Sequence, residues 1–141
     1  MKVNYKLDDG AYTPIHGHKA DAGFDLRLPS YVGQITVLPS HSVVINTGVH
    51  FEIPNGYVGF IKSKSGLNVN YGIQSEGVID SEYTGAVVTK LYNVGDTPVV
   101  FNPGEKITQI VFLPIPEVEL VKIDTFTDTE RGDNGFGSTG K

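Results

Sequence analysis

The chain contains no cysteine, which excludes disulfides and thiolate-bound zinc and suits a cytoplasmic location. It also lacks any apolar run of membrane-spanning length. Its opening, Met1-Lys2-Val3-Asn4-Tyr5-Lys6, has no signal-peptide core, so a soluble protein without a membrane partner is expected. Positive charge is scarce as well: Lys and Arg number 11 against 16 Asp and Glu, a net charge of -5 at pH 7. A nucleic-acid polymer calls for a basic surface, and this balance argues against one as the main partner. A small phosphorylated ligand stays open, because it needs only local donors and a bridging cation.

Long helical windows are missing too. Seventeen glycines and eight prolines interrupt the 141 residues so regularly that a long amphipathic helix has nowhere to form. The length fits one domain. What remains reads as strands: Val3–Leu7, Phe24–Leu28, Gln34–Leu38, Ser42–Thr47, Val49–Ile53, Tyr57–Lys62, Gly77–Ile79, Ala86–Tyr92, Pro98–Phe101, Lys106–Leu113 and Val118–Thr125. Ser65–Asn70 alone suits a short helix. Many short strands at near-regular spacing predict an all-β sandwich, jelly roll or barrel spanning residues 1–130. Residues 131–141 are too polar and glycine-rich to pack by themselves, and they read as a flexible glycine-rich lid.

Five stretches carry chemistry. The central one is Gly77-Val78-Ile79-Asp80-Ser81-Glu82-Tyr83-Thr84-Gly85, an apolar β run followed at once by an acid, turn residues and a tyrosine. It predicts a rigid hairpin with Asp80 at the bend, partly desolvated and able to deprotonate a water. Taken alone, Asp80 fits a turn-capping role better, and the company of the other stretches reverses that. Upstream, Asp21-Ala22-Gly23-Phe24-Asp25-Leu26 sets Asp25 at the start of a strand, as a partner of hydrated magnesium or a solvated turn acid. His16 and His18 lack a third ligand and read as surface histidines. The corner Lys62-Ser63-Lys64-Ser65-Gly66-Leu67 has the cations, hydroxyl and turn that hold a phosphate, although it is no Walker loop. Gln109 is the one amide in the alternating strand after Pro103-Gly104-Glu105, where it serves either the backbone or a ligand. Finally, Arg131, Phe136 and the run Gly137-Ser138-Thr139-Gly140 supply the parts for wrapping a base and phosphates.

Taken together and in this order, the five stretches resemble the homotrimeric dUTP pyrophosphatase (dUTPase) family, and fit a bacterial or a phage member alike. The resemblance implies a jelly-roll-like β protomer with at most one short helix, a homotrimer with active sites shared between subunits, and magnesium-assisted hydrolysis of dUTP to dUMP and diphosphate. That reaction would keep dUTP low and supply dUMP for dTTP synthesis. By the same resemblance Asp80 would activate the attacking water, and Tyr83 would lie under the deoxyribose. Gln74, Gly77, Val78 and Ile79 would read the uracil edge. Lys64, Ser65, Gly66 and Gln109 would hold phosphates, and Asp25 would hold waters of Mg2+. Phe136 would cover the uracil while Arg131, Gly137, Ser138 and Thr139 close on the phosphates.

The chain departs from the family pattern at four places. Lys64 stands where Arg is usual, keeping the charge without the bidentate fork, Gln74 replaces a common Asn, Thr84 a common Arg and Asn134 a usual Gly. Two other functions share parts of this pattern. A dCTP deaminase-like enzyme would need an acid and a serine set for attack on cytosine, and it normally lacks the Phe-Gly-Ser-Thr tail. A nucleotide-sensing regulatory protein of the same fold would bind without turnover, and no inserted domain suggests it.

Overall fold

A computed structural model of the chain describes residues 1–135; the roles expected of Phe136, Gly137, Ser138 and Thr139 lie outside them. Ten strands and one helix follow in the order β1 (Asn4–Leu7), β2 (Gly23–Arg27), β3 (Ile35–Val37), β4 (Ser42–Glu52), β5 (Tyr57–Lys62), α1 (Ser65–Tyr71), β6 (Ile73–Gln74), β7 (Glu76–Ile79), β8 (Ala86–Asn93), β9 (Val99–Phe101) and β10 (Lys106–Pro114). They build one antiparallel sheet in the order β1-β4-β8-β6, a second in the order β2-β10-β5-β7, and a β3-β9 pair. This is the jelly-roll-like arrangement that the strand pattern predicts.

Alternation decides which side of each strand is buried. In β8, Val87, Thr89, Leu91 and Asn93 point inward while Val88, Lys90 and Tyr92 face out, the period of two that a half-buried antiparallel strand requires. One core cluster includes Leu26, Phe51, Ile61 and Ile110, and a second includes Leu28, Ile45, Leu91 and Ile107. Each such side chain contributes roughly 1.5–3 kcal/mol by leaving water. Among the described residues no helix is long and apolar enough to cross a membrane.

Three local expectations change. Ser42–Thr47 and Val49–Ile53 are one strand, because Gly48 adopts φ 65° and absorbs a register shift between Asn46 and His50 against β8. A bulge bends a strand without ending it. Ile73–Gln74 forms the two-residue strand β6, too short to show a period. Val118–Thr125 is not a strand: it stays unpaired, with Leu120 93% exposed. Its apolar residues change phase between Leu120 and Val121, and among the described residues no strand offers it hydrogen-bond partners.

Candidate active site

Strand β10 lies between β2 and β5, and its register assembles one half of the site. Gln109 is opposite Asp25 on one side and opposite Lys62 on the other. Beyond Lys62 the chain turns through Ser63 and Lys64 into α1, which Ser65 opens with no side-chain cap. A cleft of about 410 Å3 results, lined by Asp21, Asp25, Lys62, Lys64, Ser65, Gly66 and Gln109 among others. Lys64, Ser65, Gly66 and Gln109, expected at phosphates, and Asp25, expected at waters of Mg2+, are thus brought together.

The corner is held from beneath by hydroxyls. Ser63 Oγ donates to the Ser75 carbonyl at 3.3 Å and accepts from the Ser75 N–H at 2.9 Å. Ser75 Oγ lies 2.6 Å from Thr108 Oγ1, which donates to the Lys62 carbonyl at 3.0 Å. Each buried hydroxyl is satisfied, which fixes the turn leading to Lys64. Gln109 donates from Nε2 to the Ser63 carbonyl at 3.0 Å.

Asp25 is buried, and each of its oxygens meets an ammonium group. Lys64 Nζ bonds one, and Lys106 Nζ lies 2.6 Å from the other. Burial alone would push this carboxyl up; hydrogen bonds and charge from Lys106 and Lys64 outweigh it and hold Asp25 below the usual carboxylate value. The sequence reading gave Lys106 no role. Its position inside the Gly104–Gln109 signature, three residues before Gln109, was the available signal. Gly23 was also missed: a Cβ there would lie 2.2 Å from Gln109 Oε1, so only glycine lets the amide lie over β2.

The other half is built differently. Val78 and Ile79 belong to β7, which pairs with β5, whereas β8 pairs with β4 and β6. Gly77–Gly85 therefore is no hairpin but a crossing from one sheet to the other, closed by the Tyr83 N–H donating to the Asp80 carbonyl at 3.2 Å. Asp80 is exposed, and none of the described residues covers it. Tyr83 is 45% exposed. Its ring lies over Gly85, and its hydroxyl donates to the Ala86 carbonyl at 2.9 Å. Val78 is exposed, Ile79 is buried in the core, and Gln74 faces out from β6.

The antiparallel pairing of β5 with β7 sets the two halves apart. Lys62 is opposite Glu76, and Gly59 is opposite Ile79. Lys64 continues from one end of this ladder and Asp80 from the other. At about 3.3 Å per residue the separation is roughly 15–20 Å. Arg131 is farther along the chain, exposed, with Nε donating to the Asn134 carbonyl at 3.0 Å.

Of the two upstream histidines, His18 is exposed as expected. His16 is half-buried, with its ring 3.8 Å from Phe24 and Nδ1 3.1 Å from the Gly23 carbonyl oxygen. Among the described residues no three His, Asp or Glu side chains converge as a metal cage.

The family model for dUTPase matches residues 10–140. A deoxyuridine 5'-triphosphate nucleotidohydrolase of Hydrogenobaculum sp. is 36% identical over 138 residues, covering 96% of this chain and 94% of that protein. Among solved structures, the dUTPase of Staphylococcus bacteriophage 80alpha with dUPNHPP has a TM-score of 0.88 at 28% identity, covering 99% of both chains. The dUTPase of phage phi11 of S. aureus, whose structure describes coordination of a structural Mg(II) ion, gives a TM-score of 0.78 at 26% identity over 89% of this chain and 99% of that one.

Proposed function

The chain belongs to the dUTPase family, and from this premise we infer that it is a hydrolase converting dUTP to dUMP and diphosphate. The observation that carries the residue assignment is the cleft where Lys64, Ser65, Gly66 and Gln109 converge beside a buried Asp25. Its cations and amide offer donors to a polyphosphate, a local positive site on a net-negative protein. Water attacks the α-phosphorus, Asp80 accepts its proton, and the bond to the bridging oxygen breaks to release diphosphate. General-base help of this kind contributes ~10²–10⁴-fold.

The separation between Lys64 and Asp80 makes one protomer incomplete. A nucleoside triphosphate held at the cleft of one chain takes its general base from the Asp80 of another. This supports the homotrimer with shared sites that the family resemblance implies. The exposed Val78 and Tyr83 turn belongs to such an interface, as does the unpaired segment with exposed Leu120 and Phe126. Tyr83 forms the floor of the deoxyribose. Gln74 and the β7 backbone at Gly77, Val78 and Ile79 read uracil. Residues from Arg131 onward, with Phe136, Gly137, Ser138 and Thr139, close over base and phosphates.

Magnesium fits this site only as a hydrated partner of the phosphates. Asp25 has both oxygens bonded to lysines and gives no direct metal ligand; it holds the ion through water, as hard Mg2+ allows. The ion supplies neutralisation of the polyphosphate charge. Diphosphate release from each deoxynucleoside triphosphate, with and without magnesium, tests the reading. Turnover of dUTP alone, faster with magnesium, is expected. Release of ammonia from dCTP, or binding without diphosphate release, would overturn it.

A further inference from the structure

His50 sits outside the expected site, yet it touches the turn that carries Tyr83. Its side chain is 14% exposed. Nδ1 lies 2.9 Å from the Thr84 carbonyl oxygen, and Nε2 lies 3.1 Å from Asp8 Oδ1. A carbonyl oxygen and a carboxylate oxygen only accept. Both contacts are hydrogen bonds at once only when both ring nitrogens carry a proton.

The place of His50 is set by the bulge in β4. Its Cα partner across the ladder is Ala86, the first residue of β8 and the acceptor of the Tyr83 hydroxyl. On the other side, Gly48 at φ 65° accepts from the Asp8 N–H at 2.8 Å, which brings the Asp8 loop against the ring. The Tyr83 turn is fixed at its start by the Asp80 carbonyl and at its end by Ala86. Between them, His50 holds the carbonyl of Thr84.

We infer that His50, as an imidazolium braced by Asp8, is a positioning residue that fixes the Tyr83 turn and thereby sharpens the choice of deoxyribose over ribose. The inference rests on the reading of Tyr83 as the floor of the sugar pocket. The groups facing the ring are Asp8 from the loop after β1, Lys6 as its cross-strand neighbour on β1, and Glu52 two residues along β4; Tyr31 lies beside Asp8 across Gly48. When the ring loses its proton, one nitrogen presents a lone pair to an oxygen, and either the Asp8 or the Thr84 contact turns repulsive. The turn then loosens. Discrimination against UTP is accordingly strongest when both ring nitrogens carry a proton and declines when one proton leaves.

The test uses the full-length protein in its native assembly. The ratio of kcat/KM for dUTP to that for UTP is measured between about pH 5 and 8 for the wild type, His50→Phe, His50→Gln and Asp8→Asn. A charge-assisted hydrogen bond of this class corresponds to about three- to tenfold. His50→Phe, which keeps a ring and loses both donors, lowers the ratio by that factor, raises KM for dUTP more than it lowers kcat, and flattens the pH dependence. His50→Gln, whose amide donates to Thr84, recovers part of the ratio without recovering the pH dependence. Nitrogen-15 spectra of the histidine-labelled protein report the ring directly: two protonated nitrogens at low pH, with Tyr83 ring signals shifting as one proton leaves, and no such coupled shift in Asp8→Asn. A folded His50→Phe with the wild-type ratio and pH profile overturns the proposal. So does a ring with one protonated nitrogen at low pH. Tyr83→Ala separates the two layers: if it leaves the ratio unchanged while the coupled shifts persist, the sugar-floor reading fails and the brace stands.

Discussion

The two ends of the β5–β7 ladder are opposite in kind. At the Lys64 end, Asp25 is buried, both its oxygens are bonded, and a chain of hydroxyls through Ser63, Ser75 and Thr108 holds the turn from below. At the Asp80 end the acid is exposed, Val78 is 60% exposed, and Tyr83 rests on its own turn. The first end is complete as one chain folds. The second has few neighbours among the described residues. In the function proposed above, substrate charge is met at the rigid end and the reacting water is handled where subunits meet.

The largest expected effect comes from breaking either end alone. Asp80→Asn keeps the fold, since the side chain is exposed and nearly isosteric, and lowers turnover by ~10²–10⁴-fold. Lys64→Ala removes the phosphate contact from the opposite end and abolishes most activity by weakening substrate binding. If the ends act across a subunit boundary, mixing the two inactive proteins under subunit exchange restores activity, because some sites then combine an intact Lys64 with an intact Asp80. Steady-state diphosphate release before and after mixing measures this. Absence of any recovery in demonstrably mixed assemblies would place both groups in one chain's site.

Next in size is a chain ending at Thr129. It retains the strands of both sheets and loses most turnover, because the residues proposed to close over base and phosphates are gone. Mass in solution together with kcat/KM decides it: full activity would refute the closing role.

Much of this contrast was legible in the sequence. The alternation in β8 and β10 located strands, and five signatures located the residues at both ends. What escaped depended on pairing that no single stretch encodes. Gly77–Gly85 reads as a hairpin because two β runs flank a turn, yet β7 joins β5 and β8 joins β4. Val118–Thr125 is rich in β-branched residues, but a strand needs a ladder partner, and the described residues offer none. Lys106 had no role in the sequence reading, and only the fold brings its ammonium group to Asp25. Gly48 suggested a break, and the positive φ it permits instead lets β4 run through as a bulge.

The lysine clasp gives the next prediction. Asp25→Asn leaves Lys64 and Lys106 facing an amide that cannot balance them, and stability falls by about 1–3 kcal/mol. The folded carboxyl titrates below its unfolded value of about 3.9. The clasp is therefore fully present above that value and is lost as pH falls through the lower folded value. Chemical denaturation at neutral pH and at about pH 3 checks this: the gap between wild type and Asp25→Asn narrows in acid. An unchanged gap would mean that the lysines do not hold the charge. At the other end, Tyr83→Ala leaves stability nearly untouched and lowers the dUTP-to-UTP ratio of kcat/KM by about tenfold or more, the scale of a lost steric and apolar contact.

The smallest effect, and the finest probe of the rigid end, is Gly23→Ala. The new Cβ would meet Gln109 Oε1 at 2.2 Å, Cδ at 2.9 Å and Cβ at 3.2 Å. The first two belong to the mobile end of a side chain, so the amide swings away and gives up its 3.0 Å bond to the Ser63 carbonyl. The contact with Cβ asks β2 and β10 to part by a few tenths of an ångström. Losing the hydrogen bond costs about 0.5–1.5 kcal/mol. Replacing glycine at an ordinary extended φ returns about 0.4–1 kcal/mol by restricting the unfolded chain. The two nearly cancel, and Tm shifts by only a few degrees. Substrate affinity has no such compensation, because Gln109 no longer faces the cleft, and KM for dUTP rises severalfold with kcat little changed. A large drop in Tm would show that the β2–β10 approach is tighter than the amide contact alone implies, and an unchanged KM would remove Gln109 from the phosphate site.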